Sequence, residues 1–524
     1  MKGWSAMVLT WEKGYEDYND KENWEPRYKE LCRFAENVSV QSVQQLADDQ
    51  LLDALEKLEE LMRFYCVEGN MTALEPVMRK FNDLMSVCQQ RRISGVEVQY
   101  LEMLFLRVNA MLYRGHGQHK QGADCYDNCV KAAERCFETL KKSKHLSELQ
   151  TFFVGWSCVE CWKEAAEAHD AIMDAQGSIQ ILYEVVPMLE WLEKWLVDYP
   201  GICDQACELY AFSAGVFYQY GDSAAGAKCY QQAVRLFNAL DASHGGDFYR
   251  ARAIWVQCIH GTMAFFAAGD VNLMLQCEKE AAEYLAGRPG ATLRDRTIVT
   301  SAQAIIDLQR STALQQSGKP EQAIEIGKNA VAQLEVGLQI IQEDYEDRQG
   351  YYRTVMSNIA ARINNMCIGS KESLGVMYYQ NDDPVAAEVT LKEVLEALNK
   401  TSGLRMTGSG AVLLQAEVLQ YLGLIAADDG DGNQADFYGT QSADLAVSLG
   451  KESGNLNAWA VAAVSCSLVA ETALAMKNKP KAAQYAEMGL SACDVLASAN
   501  PDHPHLAIRS NLEKFKRKAS RRFF

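Results

Sequence analysis

In the stretch Tyr210-Ala-Phe-Ser-Ala-Gly-Val-Phe-Tyr-Gln-Tyr-Gly-Asp-Ser-Ala-Ala-Gly-Ala-Lys-Cys-Tyr-Gln-Gln-Ala233, large and small residues are set in a fixed order around one break. Tyr210, Ala214 and Phe217 precede Gly221-Asp222; Gly226, Tyr230 and Ala233 follow it. Spacings of three and four on both sides are the period of a helix with one buried face. Gly221 can end the first helix in the left-handed region, which glycine enters without steric cost. Asp222 then stands where an N-cap carboxylate would accept from the backbone of the second helix. The unit is helix, tight turn, helix.

The same turn chemistry recurs along the chain. Breaks fall at Gly69-Asn70, Gly117-Gln118, about His169-Asp170, Gly221-Asp222, Gly269-Asp270, Gly318-Lys319, Asp382-Asp383, Gly430-Asp431 and Asn478-Lys479. Successive separations are 48, 52, 52, 48, 49, 64, 48 and 48 residues. A constant period of this size marks a repeat array, in which each unit buries its apolar face only against its neighbours. Pro320, Pro384 and Pro480 follow three of the breaks, at first-turn positions where the missing N–H costs nothing. No sustained period-2 alternation bounded by turn residues occurs, so no sheet is expected.

The order of large and small residues resembles the tetratricopeptide repeat. Leu374-Gly375, Tyr378, Asp382, Ala387 and Leu391 give a second copy, Leu422-Gly423, Gly430-Asp431 and Ala435 a third, and Ser311, Leu314, Gly318, Ala323, Gly327 and Ala330 a fourth. The family period is 34 residues and the period here is about 48, so each helix should be roughly two turns longer. The resemblance implies an all-α, right-handed superhelical solenoid of about nine antiparallel pairs, with a groove lined by the first helix of each pair. We expect an N-terminal acidic and aromatic cap segment over residues 1–44 and divergent repeats over 45–200. Clear repeats should occupy 201–500, and a basic C-terminal tail 501–524. The cap rests on Trp4, Trp11, Tyr15, Tyr18, Trp24 and Tyr28 among acids. The 64-residue interval carries a surplus around residues 343–352, which reads as lengthened helices with an acidic, solvated tip or as a protruding contact element.

Composition narrows the function. The 524 residues are 48% hydrophobic and 23% charged with only 10 prolines, which excludes a disordered chain. There is no run of 18 uninterrupted apolar residues, so no transmembrane helix is expected. The first residues lack a secretory apolar stretch, and 16 cysteines then read as reduced thiols of a cytoplasmic protein. Net charge is −18; the tail Lys514–Phe524 carries six cations and no acid, and removing it leaves −24 on the rest. Such a body disfavours phosphate backbones and suits a neutral or basic partner.

No motif for phosphate, dinucleotide or nucleophilic chemistry is present. Asp429-Gly-Asp431-Gly-Asn433 starts like a calcium loop but has Gln434 where the sharp-turn Gly belongs and Thr440 where the bidentate Glu belongs. Cys158-Val-Glu-Cys161 is a lone C-x-x-C within a helical pattern. His116, His119, Cys125 and Cys129 offer four zinc-compatible ligands within 14 residues, the basis of an alternative metal-dependent enzyme. The main expectation is a non-catalytic scaffold or adaptor without cofactor or metal, binding a protein or peptide segment in the groove, with no membrane or nucleic-acid role. Its runner-up is a regulatory peptide sensor lacking a DNA-binding domain. Candidate contacts are Gln219, Gln315 and Gln420 on first helices, and Lys516, Arg517 and Arg521 in the tail, which could instead end as a solvated helix, clasp the acidic array or meet a polyanion.

Overall fold

The computed structural model describes residues 21–68, 70–172, 174–219, 221–288, 291–346, 350–399 and 409–520. Among them every regular element is helical. After α1 (Lys21–Asn37) and the single turn α2 (Val40–Val43), nine helix pairs follow: α3 (Asp48–Glu68) with α4 (Met71–Gln90), α5 (Val96–Gly115) with α6 (His119–Lys142), α7 (Glu148–Ala171) with α8 (Ala175–Leu196), α9 (Pro200–Gln219) with α10 (Ser223–His244), α11 (Asp247–Ala268) with α12 (Val271–Gly287), α13 (Leu293–Gln316) with α14 (Pro320–Glu346), α15 (Gly350–Gln380) with α16 (Pro384–Asn399), α17 (Ser409–Asp428) with α18 (Gly432–Ser453), and α19 (Leu456–Ala475) with α20 (Lys479–Ala499). A 3₁₀ turn (Pro504–Ile508) and α21 (Arg509–Ser520) close the described chain. Among the described residues the protein is an all-α helical repeat of tetratricopeptide-like pairs.

Local chemistry sets the turns. Gly117, Gly221, Gly269, Gly318, Asp382, Gly430 and Lys477 all take positive φ. At each of six of them the next residue donates its N–H to a carbonyl five residues back, as from Asp222 to Phe217 at 2.9 Å and from Asp431 to Ala426 at 2.8 Å. This closure satisfies carbonyls that the helix end leaves open. The side chains of Asn70, Asp222, Asp270, Asp383, Asp431 and Asn478 then accept from backbone N–H groups of the second helix. The calcium-like stretch 429–433 is therefore a capped turn, with Asp431 accepting from Gln434 N–H at 3.0 Å. At the last turn Lys477, not Asn478, takes the left-handed conformation, and Asn478 serves as the cap.

The residues divide into two compact units. One holds the described residues within 1–172, 176–244 and 347–354, the other those within 173–175, 245–346 and 355–524. In the first unit α1 lies over α3, with Leu31 buried and the Tyr28 ring edge-on to Phe64 at 5.7 Å. Trp4, Trp11, Tyr15 and Tyr18 and the side chain of Trp24 lie outside the described residues. Adjacent first helices α3, α5 and α7 pack side by side, linked by a Tyr100–Ser157 hydrogen bond of 3.2 Å and by Arg107 on Glu160 and Glu164.

The surplus of the 64-residue interval lengthens two helices, α14 to 27 residues and α15 to 31. Small residues sit where helices cross. A Cβ on Gly226 in the first unit would lie 2.5 Å from the Tyr218 ring, and one on Gly423 in the second 3.2 Å from the backbone N of Gly439. Within the segment expected as a basic tail, Arg509–Ser520 form a docked helix: Leu512 and Phe515 of α21 are buried against α19 and α20. A terminal element of this kind covers the open apolar face of the last repeat, with its cations outward.

Two helices pass a test of length and mean hydropathy that a search for uninterrupted apolar runs does not register. Gly410–Asp428 and Leu456–Ala475 are long and apolar enough to cross a membrane by length and composition, with mean hydropathy 1.5 and 1.6. Alanine-rich helices reach that average without long runs of large residues. In this fold Leu456–Ala475 is a core helix, 72% of its apolar window being buried inside the protein.

Candidate functional site

A cleft of about 490 Å³ opens on the first-helix face of the second unit. Its wall comes from four successive first helices: Thr312, Gln315 and Gln316 of α13; Glu372, Ser373, Val376, Met377 and Gln380 of α15; Glu417, Gln420 and Tyr421 of α17; and Asn457, Ala460 and Val461 of α19. His505 of the 3₁₀ turn completes it. The helical period places Glu417, Gln420 and Tyr421 on one face of α17, and Glu372, Val376 and Gln380 on one face of α15.

Two carboxyls dominate the electrostatics. Burial, with the negative neighbour Glu417, pushes Glu372 up to about 8 despite a 3.4 Å hydrogen bond from the Ser373 hydroxyl. Burial alone pushes Glu417 up to about 7. Burial also raises Tyr421 and lowers His505, which takes the one basic lining group toward its neutral form. Gln420 is 8% exposed, and its Oε1 has no hydrogen-bond partner among the described residues. Gln315 is ordered by its neighbours, its Nε2 donating to Gln380 Oε1 at 3.3 Å and its Oε1 accepting from Asn381 at 3.1 Å. Among the described residues the cleft thus combines one acceptor without a donor, Gln420 Oε1, and two carboxyls without a cation with a row of side-chain amides.

The raised carboxyls make stability depend on pH. An acid whose folded pKa lies above its unfolded value near 4.5 holds its proton more tightly when folded, so stability is greatest below that value and is lost as pH rises through the folded one. Glu372→Gln, neutral at every pH, should therefore melt higher than the parent at pH 9 and close to it at pH 5. Because the carboxyl is part-exposed, the full shift is discounted to about 1–2 kcal/mol, or roughly 2–6 °C. Calorimetry at the two pH values checks this; a variant that melts lower at pH 9 contradicts it.

Of the residues singled out in the sequence, Gln315 and Gln420 both line this cleft. Gln219 ends α9 in the other unit, and its side chain lies outside the described residues. Lys516 pairs with Glu487 at 3.4 Å, Arg517 is exposed on α21, and Arg521 lies outside the described residues. The zinc-compatible set is not assembled: His116 and His119 are exposed at the α5–α6 turn, while Cys129 is buried and donates to the Met103 carbonyl. Among the described residues no group of three or more His, Cys, Asp or Glu is arranged to hold a metal ion. Cys158 and Cys161 are fully buried, and burial pushes both thiols well above the ordinary range, which makes them inert core groups.

Glu372, Glu417, Asn457 and His505 were not singled out. A signal for Glu417 exists: it is the one charged residue between Ser409 and Ala427, and a lone carboxylate in an apolar helix asks for a partner.

No family model matches the chain, and no curated protein does. Solved structures do. The apo form of the quorum sensor NprR from B. thuringiensis is 12% identical over 93% of this chain and 98% of that one, with a TM-score of 0.39. The APC/C hetero-tetramer Cut9-Hcn1 is 12% identical, covering 99% of each chain, with a TM-score of 0.28. The TPR domain of P58(IPK) is 14% identical over 94% of this chain and 100% of that one, with a TM-score of 0.23. At this identity and quality of superposition, neither partner nor activity passes from them to this chain.

Proposed function

We propose that this chain is a non-catalytic scaffold or adaptor that holds a segment of a partner protein in the cleft across α13, α15, α17 and α19. One observation carries the reading: four consecutive first helices bring polar side chains to one concave site, and that site keeps a buried acceptor, Gln420 Oε1, without a donor. Buried acceptors are normally satisfied, so an orphan at a cleft wall supports a donor arriving from outside. The lining holds no Lys or Arg that could clamp a phosphate, which supports a protein partner over nucleic acid. The proposed location is the cytoplasm, where thiols such as Cys88, Cys203 and Cys258 persist as buried small hydrophobes.

The test is affinity purification of the tagged full-length chain from its native cells, alongside a variant with the cleft filled by Gln316→Trp and Asn457→Trp. Both positions are exposed, so bulk there spares the core. A stoichiometric partner held by the parent and lost from the variant is expected. A partner retained by the filled variant contradicts the reading. A small peptide released on denaturing a partnerless protein would favour the sensor alternative. A second reading uses the same carboxyls for general acid–base chemistry; it requires turnover of some substrate that Glu372→Gln abolishes.

A further inference from the structure

We infer that the cleft recognises a guanidinium group: an arginine side chain of the partner segment, held between Glu372, Glu417 and Gln420. The inference rests on the groove reading above and names the chemistry that the groove selects.

Charge comes first. Glu372 and Glu417 stand on neighbouring first helices and line one cleft, the charge of Glu417 bearing on Glu372, and among the described residues neither has a cationic partner. Lys371, adjacent in sequence to Glu372, is engaged elsewhere, with Glu335 at 2.6 Å and Glu393 at 3.1 Å. Two part-buried carboxyls without a counter-ion keep their protons toward neutral pH, and an incoming cation stabilises their charged form.

Geometry adds the second, independent observation. Gln420 is one helical turn from Glu417, nine-tenths buried, and its Oε1 lacks a donor. The site therefore presents carboxylate oxygens from two helices and one amide carbonyl. An ammonium group has three donors on a compact, strongly hydrated point charge; a guanidinium has five in a planar fork and is shed by water more readily. The fork matches acceptors spread over two helices, and Tyr421 lines the same wall with an aromatic ring of the kind guanidinium stacks on.

The surroundings indicate that the guanidinium is borne by a peptide. Gln315, Gln316, Gln380, Asn457 and Thr312 extend the wall with groups that both donate and accept, as a bound backbone requires. The volume of about 490 Å³ lies in the range that encloses ligands larger than one side chain.

The experiment is calorimetric titration of the full-length chain, at pH 8.5 and low salt, with the blocked peptide acetyl-Gly-Ala-Arg-Ala-Gly-amide. Its citrulline counterpart, which has the same shape and no charge, and free argininamide are titrated beside it. The arginine peptide should bind saturably, at least tenfold more tightly than either comparator. Glu372→Gln combined with Glu417→Gln should weaken it at least tenfold while the thermal transition is retained. Equal binding of the citrulline peptide, an unaffected double variant, or no binding of the arginine peptide overturns the inference. Argininamide binding as tightly as the peptide overturns the peptide assignment and makes the site one for a small guanidino compound. The native partner separates the two readings. Loss from the tryptophan-filled variant with retention by the double glutamine variant leaves the groove standing and removes the guanidinium; retention by both removes both.

Discussion

Replacing Arg107 by leucine should destabilise the first unit by about 3–5 kcal/mol, the cost of leaving buried charge without its partner. Arg107 on α5 reaches across to α7 with all three guanidinium nitrogens: Nε donates to Glu164 Oε2 at 2.9 Å, Nη2 to Glu164 Oε1 at 2.5 Å and Nη1 to Glu160 Oε2 at 3.0 Å. Its side chain is 17% exposed and that of Glu160 is 7% exposed. The Tyr126 hydroxyl on α6 adds a donor to Glu164 Oε2 at 3.1 Å. Burial works against the charge on both partners, yet pairing wins, holding Arg107 well above its ordinary value and Glu164 below.

The pH dependence of the loss is diagnostic. In the parent, the depressed Glu164 contributes stability that is present above its unfolded pKa and lost as pH falls through the folded one. In Arg107→Leu, Glu164 loses its cationic partner on α5, keeps the Tyr126 hydroxyl against the cost of burial, and titrates upward. The deficit against the parent should therefore be largest near pH 8 and shrink toward pH 5. Arg107→Lys keeps a charge but loses the bidentate fork, and should cost about 1–2 kcal/mol. Denaturant unfolding followed by tryptophan fluorescence suits the measurement, because Trp156 and Trp162 flank this pair on α7. A deficit under about 1 kcal/mol at pH 8, or one that grows on acidification, would show that the network contributes little.

The second large effect is steric. Gly423→Leu in α17 should cost about 2–4 kcal/mol in the second unit. A Cβ there meets Leu468 Cδ2 at 2.9 Å and the backbone N of Gly439 at 3.2 Å. Leu468 can rotate, but the backbone of α18 cannot withdraw without opening its contact with α17 and α19. Gly369 in α15 is the control, since nothing lies within 4 Å of its added Cβ. Gly369→Ala should stabilise by about 0.5–1 kcal/mol through helix propensity alone. Thermal unfolding of the two variants beside the parent reads both signs; a tolerated Gly423→Leu would mean that α17 and α18 repack freely.

Much of this architecture was legible because its causes are local. The Gly221-Asp222 and Gly430-Asp431 pairs specify a left-handed residue and then a cap, and both act within six residues. Gly423 was readable as a packing position from its place in the large-and-small order. The cleft was legible only in part. Gln315 and Gln420 stood out as polar residues on first helices, whereas Glu372 did not, since a carboxylate on a helix that also carries Lys371 and Arg362 ordinarily faces water, and Glu417 gave a signal only as a lone charge in an apolar helix. Only the neighbouring helix shows that these two are half-enclosed. His116 and Cys129 illustrate the converse: close in sequence, they are separated by the fold, because one ends a turn and the other points into the core.

By itself, then, the sequence determined the helices, their turns, the nine-pair repeat and the small residues that let the pairs close, all consequences of backbone conformation and short-range hydrogen bonding. Tertiary structure alone decided which charges meet. Arg107 and Glu164 lie 57 residues apart, the cleft gathers side chains from Thr312 to His505, and Lys514, Lys516, Arg517 and Lys518 ride on a docked helix because Leu512 and Phe515 found the uncovered face of the last pair. Burial and electrostatic partnership depend on what lies across an interface, and a repeat period fixes the interface without naming the side chains that will face each other there.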